Sequence, residues 1–208
     1  MAKEIQFYHH PWTRGATVHW LLEELGVSYD VHLLDYNKKE HKTSQYLAIN
    51  PMGKIPTIVH RGVVVTESAA ICVYLADVFS QAKLAPAVDD PQRGTYLRWI
   101  FFAASCTEPA LIDKMYIRPA VEAKTVGYGS YQEAFDNLQK ALIPGPFILG
   151  STFSAADVYV ASQLSWGMMV KAVESHPTFV KYVEACHQRP AFQRCVQQGQ
   201  EMLKRLQG

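Results

Sequence analysis

Apolar residues along the first part of the chain alternate between the spacing of a strand and that of a helix. The stretch EIQFYHH alternates as a strand does, and PWTRGATVHWLLEELG then places four apolar residues at helical spacing before Gly26, a residue that often ends helices. SYDVHLLDY alternates again. This pattern predicts strand, helix and strand, with the two strands parallel and the crossover right-handed.

A hairpin and another helix are predicted next. The apolar runs IPTIVH and VVVT are separated by Arg61 and Gly62, which is a hairpin signal, and TESAAICVYL then has an apolar face at helical spacing. The first ~80 residues therefore predict a β-α-β unit, a connection and a β-β-α unit, as expected for a small mixed sheet covered by helices.

The pattern changes around SQAKLAPAVDDP, where periodicity disappears and Ala, Pro and Asp dominate. From there to the end of the chain the apolar spacing is helical throughout, with one such stretch following Ser154 and another beginning at Pro190. The sequence predicts an α/β domain over residues 1–80, a linker over 81–91 and an all-helical domain over 92–208.

Composition narrows the classes of partner. The chain has 208 residues, of which 49% are hydrophobic and 19% charged, and its formal net charge is +1. No run of Lys or Arg is long enough to follow a phosphate backbone, so we expect no nucleic-acid partner. No apolar run approaches the ~20 residues of a membrane span, and MAKEIQFYHH has no secretory apolar core, so we expect a cytoplasmic protein without a membrane partner.

The four cysteines are scattered and show no C-x-x-C spacing. This predicts free thiols buried in the core rather than disulfides or a metal site.

Two features next to the predicted hairpin, Pro56 and the pair Glu67 and Ser68, have more than one interpretation. Pro56 precedes an apolar strand, where Pro weakens pairing and is ordinarily a trans residue at a sheet edge. Glu67 and Ser68 stand where the next helix begins; they either cap that helix and compensate its dipole or take part in holding a ligand anion.

Three strings, NPMGKIPTI, TESAAICVYL and FSAADVYVA, occur in this order along the chain. Together with the domain order they resemble the cytosolic, bacterial-type glutathione S-transferases over essentially the whole length. The resemblance implies a thioredoxin-like domain followed by an all-helical domain, an α/β plus all-α fold. It also implies a cis bond between Ile55 and Pro56.

The same resemblance implies the residues that bind glutathione. The backbone of Ile55, beside Pro56, would pair with the cysteinyl portion of glutathione as one more antiparallel strand. Ser68 would hold the γ-glutamyl carboxylate, Glu67 the ammonium group, and Lys54 the glycyl carboxylate.

Two residues are candidates for holding the glutathione thiolate. PWTR resembles the P-x-S-R pattern of serine-type members and would give the role to Thr13, whereas the spacing of Tyr8 and Arg14 is similar to that of tyrosine-type members. Arg14 would add positive charge to either arrangement.

HHPWTRG has no Cys pair, so exchange by protein thiols is not expected. His9 and His10 point to opposite faces as strand neighbours, so no metal is expected.

The family's electrophile site implies an apolar pocket lined partly by helical-domain aromatics. Aromatic residues at helical spacing also form ordinary core, and that alternative stays open for each of them. The candidates are Trp12, Trp99, Phe102, Tyr116 and Trp166.

FSAADVYVA predicts a capping box rather than a site. Ser154 would cap a helix, and Asp157, three residues later, would reach back to it. In the family this box is structural, so we expect neither residue to touch glutathione.

The resemblance implies a homodimeric glutathione S-transferase with a role in detoxification. It would join the glutathione thiolate to small, largely apolar electrophiles, with glutathione as cosubstrate and no permanently bound cofactor. One alternative is a glutathione-dependent peroxidase or isomerase that uses the same site. The other is a non-catalytic interaction protein on this fold, of the stringent-starvation type.

Overall fold

The computed structural model describes residues 3–116 and 122–207, and the chain divides into two compact units. The first unit contains the chain up to Ala82 together with the segment from Arg189 onward, and the second runs Lys83–Gln188. The sequence analysis assigned the last segment to the helical domain. The structure instead groups it with the α/β part.

The first unit is a four-stranded mixed sheet with helices. Its strands are β1 Ile5–His9, β2 Tyr29–Leu33, β3 Thr57–His60 and β4 Val63–Val65. Its helices are α1 Gly15–Leu25, α2 Ser44–Leu47, α3 Ser68–Val78 and α9 Pro190–Gln207. Short 3-10 turns occupy Glu40–Lys42 and Ser80–Ala82. The strand order is β2-β1-β3-β4.

Strand β1 is one of the two interior strands of this sheet, and its alternation gives it one buried face. It pairs parallel with β2, from Ile5 opposite Tyr29, and antiparallel with β3, from Ile5 opposite His60. Ile5 and Phe7 are 0% exposed. Helix α1 ends at Gly26, whose left-handed backbone (φ 64°) lets its N–H donate to the carbonyl of Leu22.

Two ion pairs join the C-terminal segment to α1. The guanidinium of Arg189 donates twice to the carboxylate of Glu24, at 2.7 Å each, and Glu24 is almost fully buried. Arg194 pairs with Glu23 at 3.0 Å in a more exposed position. A helical pattern shows which face of α9 is apolar but not which helix will cover it. Its assignment to a domain could therefore not be read from the pattern.

The second unit is helical. Its α-helices are α4 Arg93–Phe102, α5 Glu108–Met115, α6 Tyr131–Leu142, α7 Ala155–Met169 and α8 Pro177–His187. A π-helical segment, Ala103–Thr107, joins α4 to α5, and a 3-10 turn occupies Ala123–Thr125. Large side chains such as Tyr96, Ile100 and Leu138 form its core.

The predicted fold class is confirmed: a mixed α/β sheet with helices precedes a helical region. Among the helices within the described ranges, none combines the length and the hydropathy that a membrane span requires.

Candidate functional site

The sheet topology brings the predicted site residues of the first unit to one edge of the sheet, formed by the ends of β1 and β4 and the start of β3. Strand β1 ends at this edge, directly before the turn that carries Thr13. Strand β3 is antiparallel to β1, so it begins at the same edge, just after Pro56. Strand β4 is antiparallel to β3 and ends there, just before Glu67 and Ser68. Three segments that are far apart in sequence therefore meet where β1 and β4 end and β3 begins.

Thr13 shapes the turn between β1 and α1. Its hydroxyl donates to the carbonyl of His10 at 2.7 Å and accepts the N–H of Gly15, the first residue of α1, at 3.0 Å. The side chain therefore stabilises the turn that leads into the helix, one residue before the N-cap residue Arg14. Since a hydroxyl has a single proton, donation to a ligand requires Thr13 to turn away from His10.

Tyr8 lies on the other face of β1 from the buried residues Phe7 and His9. Its ring stacks on His32 with centroids 4.6 Å apart and leans on Tyr46 at 5.5 Å. Its hydroxyl makes no hydrogen bond with the residues that the structure describes, so it is available to a ligand.

Arg14 is exposed at the N-cap position of α1. Its positive charge acts on Tyr36, where it lowers the pKa of the phenol against the larger effect of burial, which raises that pKa. Arg14 therefore places positive charge near the start of α1.

His9 is the buried residue at the end of β1. Its ring is 0% exposed, stacks on Phe7 at 4.7 Å and tilts against His19 at 5.3 Å. Burial lowers the pKa of His9 well below its usual value, and the nearby His19 and His10 add to that effect. Neither ring nitrogen has a hydrogen-bond partner among the described residues. A buried imidazole, whose pKa is lowered by burial, thus lies beside the turn.

The segment before β3 has the backbone geometry expected of a ligand-binding loop. The peptide bond between Ile55 and Pro56 is cis. The β1–β3 pairing stops at Tyr8 and Thr57, so the N–H and C=O of Ile55 lie beyond the ladder. The side chain of Lys54 is exposed.

A buried polar network holds this loop, and the sequence analysis did not identify it. The hydroxyl of Tyr46 donates to the carbonyl of Lys54 at 2.5 Å, and the amide of Asn50 donates to the same carbonyl at 2.9 Å. Both side chains also reach the hydroxyl of Thr57, at 2.9 and 3.0 Å. The carbonyl directly before Ile55 is therefore fixed by two side chains, and Thr57 holds both of them. The available signal in the sequence was the side-chain amide of Asn50, directly before Pro51.

Helix α3 begins without a side-chain cap. Glu67 occupies the N-cap position with φ 63° and ψ 114°, an uncommon conformation for a residue with a Cβ, and makes no capping hydrogen bond. Its carbonyl accepts the N–H of Ile71 at 2.9 Å, while its side chain is exposed. The first-turn N–H groups, beginning at Ser68, therefore face outward with the positive end of the helix dipole.

The candidate electrophile residues differ in their surroundings. Trp12 belongs to the first unit and is 79% exposed. In the second unit Trp99 is buried and meets Phe102 edge to face at 5.3 Å, with Arg98 over its ring at 4.6 Å. Tyr116, at the end of α5, is 60% exposed, and Trp166 on α7 is half-buried. The structure therefore brings Trp99 and Phe102 together.

The capping box at the start of α7 is present and buried. Ser154 donates its N–H and its hydroxyl to Asp157 Oδ2 at 2.8 and 3.0 Å. Two further donors reach Oδ1: the N–H of Ile148 at 2.7 Å and the hydroxyl of Tyr182 at 2.9 Å. Asp157 thus ties together three segments of the second unit.

Three of the four thiols are buried, as expected from the sequence, whereas Cys106 is half-buried, contrary to that expectation. All four cysteines are free, and Cys72, Cys186 and Cys195 are buried. Burial raises the pKa of Cys72 and of Cys195 to about 12. Within residues 3–116 and 122–207, no group of three or more His, Cys, Asp or Glu side chains could hold a metal ion.

A cavity of about 390 Å³ lies in the first unit between β2 and α9, against Tyr29, Gln198 and Arg205. It is lined by none of the residues that the sequence analysis assigned to a site.

Family models match both halves of the chain. A model of the glutathione S-transferase N-terminal domain matches residues 3–77, and one of the glutathione S-transferase C-terminal domain matches residues 118–185.

Individual relatives and solved structures agree with these models. Glutathione S-transferase A of Pleuronectes platessa is 27% identical over 98% of this chain and 99% of its own. Glutathione S-transferase 2 of Schizosaccharomyces pombe is 28% identical over 66% of this chain and 64% of its own. A crystal structure of a glutathione transferase from Methylococcus capsulatus superposes with a TM-score of 0.80 at 26% identity, covering 94% of this chain and 98% of that chain. That of URE2P6 from Phanerochaete chrysosporium, in complex with oxidized glutathione, gives 0.80 at 25% identity, covering 96% and 98%.

Proposed function

The chain belongs to the glutathione S-transferase family, and we propose that it is a glutathione transferase that joins the glutathione thiolate to an electrophilic carbon of small, largely apolar compounds. The observation that carries the proposal is the convergence of the Thr13 turn, the loop before Pro56 and the start of α3 at one sheet edge. These segments supply a hydroxyl, a free stretch of backbone and a positive helix end.

The dimensions of the edge suit an extended tripeptide. Neighbouring strands lie ~4.8 Å apart, so the step from β1 across β3 to β4 spans about 10 Å. Three extended residues span about the same length. Glutathione laid along the edge would have its thiol at the β1 end, its cysteinyl backbone at β3 and its γ-glutamyl group at the start of α3.

The start of α3 supports the γ-glutamyl end. An α-carboxylate there accepts the N–H and hydroxyl of Ser68 and is favoured by the helix dipole. The α-ammonium group pairs with the exposed carboxylate of Glu67. The uncommon backbone of Glu67 is consistent with this role, because such conformations cluster at ligand sites.

The loop before β3 supports the middle of the ligand. The N–H and C=O of Ile55 pair with the cysteinyl residue as an added strand would. Lys54, whose carbonyl is fixed by Tyr46 and Asn50, directs its exposed amine to the glycyl carboxylate. The network therefore positions the loop without touching glutathione.

Catalysis follows from ionising the glutathione thiol. A cysteine-type thiol of pKa about 8.5 is roughly 3% ionised at pH 7, and lowering that pKa by ~2 pH units, about 2.7 kcal/mol, raises the ionised fraction to roughly three quarters. The gain in rate is smaller because nucleophilicity falls with pKa. The thiol proton goes to solvent, the sulfur forms a bond to the carbon, and the leaving group departs with its electron pair.

We assign the thiolate contact to Thr13, with Arg14 as supporting positive charge. Thr13 stands at the opening of α1, where the helix dipole favours an anion. Tyr8 is the competing donor to the thiolate, since its hydroxyl lies on the face of β1 opposite to Phe7 and His9 and is available to a ligand.

Further parts of the proposal concern the second substrate and the setting. The electrophile binds against aromatic side chains of the second unit, for which the exposed Tyr116 and the half-buried Phe102 and Trp166 are the candidates; the exposed Trp12 is a separate candidate in the first unit. Trp99 is buried and packs edge to face against Phe102. We further propose a cytoplasmic homodimer that acts in detoxification.

Calorimetric titration with glutathione tests the binding site. Glu67→Ala and Ser68→Ala should each weaken binding by roughly 1–3 kcal/mol, because each removes a charge-assisted hydrogen bond. Glu122→Ala, at an exposed glutamate of the second unit, is the matched control and should bind as the unaltered protein does. Unchanged affinity in both site variants would remove the γ-glutamyl placement.

The pKa of bound glutathione, measured from thiolate absorbance, tests the thiolate contact. Thr13→Val should raise it by about one pH unit, roughly 1.4 kcal/mol, while Tyr8→Phe should leave it nearly unchanged. The reverse result would assign the contact to Tyr8. If neither variant moves it, a backbone N–H or Arg14 holds the thiolate.

An assay against electrophiles, peroxides and isomerisable substrates separates the transferase from its alternatives. A peroxidase or isomerase would bind glutathione normally but turn over a different substrate class. A non-catalytic interaction protein would show no turnover, and a protein of that kind need not retain an uncapped, anion-ready α3.

A further inference from the structure

A buried imidazole without a partner requires an explanation. Neutral His9 has one nitrogen that carries a proton and one that accepts a hydrogen bond. Both are enclosed, and neither is paired with any residue in the described ranges. Buried polar groups are nearly always paired, and exceptions tend to have a functional role.

The ring is directed toward the turn that opens α1. A Cβ added at Gly15 would lie 2.5 Å from Nδ1 of His9 and 3.0 Å from the hydroxyl of Thr13. The two side chains therefore face the same small space beside Gly15, which only a residue without a side chain leaves open.

The proton count at Thr13 gives this space a use. In the structure its hydroxyl donates to His10 and accepts from Gly15. When the hydroxyl turns to donate to a thiolate, its oxygen still has a lone pair to fill. A donor that fills this lone pair strengthens the outgoing hydrogen bond, because hydrogen bonds in a chain polarise one another.

We propose that His9 is a positioning residue for the thiolate site: its Nδ1–H donates to the Thr13 hydroxyl oxygen once that hydroxyl has turned from His10 to the glutathione thiolate. His9 acts through Thr13 and does not touch the ligand. The proposal rests on the proposed function, specifically on Thr13 as the thiolate donor.

The surroundings of His9 are compatible with this role. Burial keeps the ring neutral by lowering its pKa, so the donor does not bring a second charge into the core. His19, whose ring tilts against that of His9, has its Nε2 engaged with the side chain of Gln198 at 2.8 Å. Stacking on Phe7 fixes the plane of the His9 ring. The ring is thus held toward Thr13 in advance of ligand binding.

The direct test is ¹⁵N NMR of the histidine rings in the unaltered protein. Glutathione should place the His9 proton on Nδ1 and shift that nitrogen as a hydrogen bond does. The tripeptide γ-Glu-Ala-Gly, which lacks sulfur but keeps the other binding groups, should leave it unshifted. Equal shifts with both peptides, or none with glutathione, would overturn the proposal.

Substitutions supply a second test through the pKa of bound glutathione. His9→Phe keeps the ring and its stacking but removes both nitrogens, and should raise that pKa by about 0.5–1 pH unit, a roughly three- to tenfold loss of thiolate well below the pKa. In Thr13→Val, adding His9→Phe should cause no further rise. His60→Phe, at a similarly buried histidine of β3, is the control and should not move the pKa.

The outcomes separate this proposal from the proposed function. If Thr13→Val raises the pKa and His9→Phe does not, the role of His9 is refuted and the Thr13 assignment stands. If Thr13→Val has no effect, the Thr13 assignment and the His9 proposal both fall, whereas glutathione binding by the other variants still tests the site. Additive effects in the double variant would show that His9 acts independently of Thr13, against the proposal. Should His9→Phe fail to fold, the NMR comparison decides.

Discussion

Replacing Asp157 with Ala should be among the most destabilising single changes in the second unit. The carboxylate is 0% exposed and accepts four hydrogen bonds, two from Ser154 and one each from Ile148 and Tyr182. The substitution removes the only acceptor that these donors have in common. Each of the four polar groups would then remain in a site that water does not reach.

The magnitude follows from those four contacts and from one opposing effect. A hydrogen bond to a charged group contributes about 1.5–3 kcal/mol, so the four together exceed what one helix cap supplies. Burial opposes this, since it raises the pKa of Asp157 even though all four donors lower it. We therefore expect a net loss of about 3–5 kcal/mol in the free energy of unfolding, against about 0.5–2 kcal/mol for Ser154→Ala, which removes a single hydroxyl.

Urea unfolding followed by circular dichroism measures these losses, and glutathione calorimetry on the folded protein measures binding. Asp89→Ala, at an exposed aspartate of the second unit, is the matched control and should cost less than about 0.5 kcal/mol. Glutathione affinity of folded Asp157→Ala should equal that of the unaltered protein. A loss no larger than that of Ser154→Ala would refute the four-donor argument. A stable variant that no longer binds glutathione would make Asp157 a site residue.

Three further predictions address other contacts. Glu24→Ala should lower the free energy of unfolding by about 2–3 kcal/mol in a urea titration, because it leaves Arg189 without its bidentate partner. Arg194→Ala, which removes the more exposed pair, should cost under about 1 kcal/mol, and equal losses in the two variants would contradict this reasoning. Acid should destabilise the protein through His9, because its pKa is lowered in the folded state and the unfolded chain therefore takes up the proton first as the pH falls below about 6.5. The free energy of unfolding should drop by about 1–2 kcal/mol from pH 7 to 5, and His9→Phe should lack this share of the drop. Asn50→Ala should weaken glutathione binding about tenfold by calorimetry, since a buried amide that fixes the loop before Ile55 is lost, and unchanged affinity would show that the loop holds its shape without it.

The order of strands and helices could be predicted because each element has a local signal. Alternation, the turn at Arg61 and Gly62, and Gly26 after α1 all act within a few residues. Which apolar face is buried depends on distant neighbours. In α4, Phe101 is 51% exposed while Trp99 is buried, and the helical spacing of the sequence does not show which of these aromatic residues faces the core.

The same limit explains which polar contacts could be predicted. Ser154 and Asp157 are three residues apart, so their pairing follows from helix geometry alone. Tyr182 is 25 residues from Asp157, and no local pattern connects them. Tyr46 and Asn50, which hold the carbonyl of Lys54, were likewise missed, because their role depends on how the loop folds back rather than on their own segments.

A site built largely from backbone groups leaves a faint trace in a sequence. The groups that we propose for binding the tripeptide are the N–H and C=O of Ile55 and the N–H groups that begin with Ser68, and every residue except proline carries both. What has to be specified is their direction, which depends on how the loop folds and on the buried contacts of Asn50. The side chain that we propose for the thiolate contact, Thr13, is the exception. A hydroxyl at Thr13 can act only with its single proton free, and whether it is free depends on what else satisfies the oxygen. For this reason the thiolate contact and the unpaired nitrogen of His9 belong to one physical question, and the pKa of bound glutathione is the measurement that answers it.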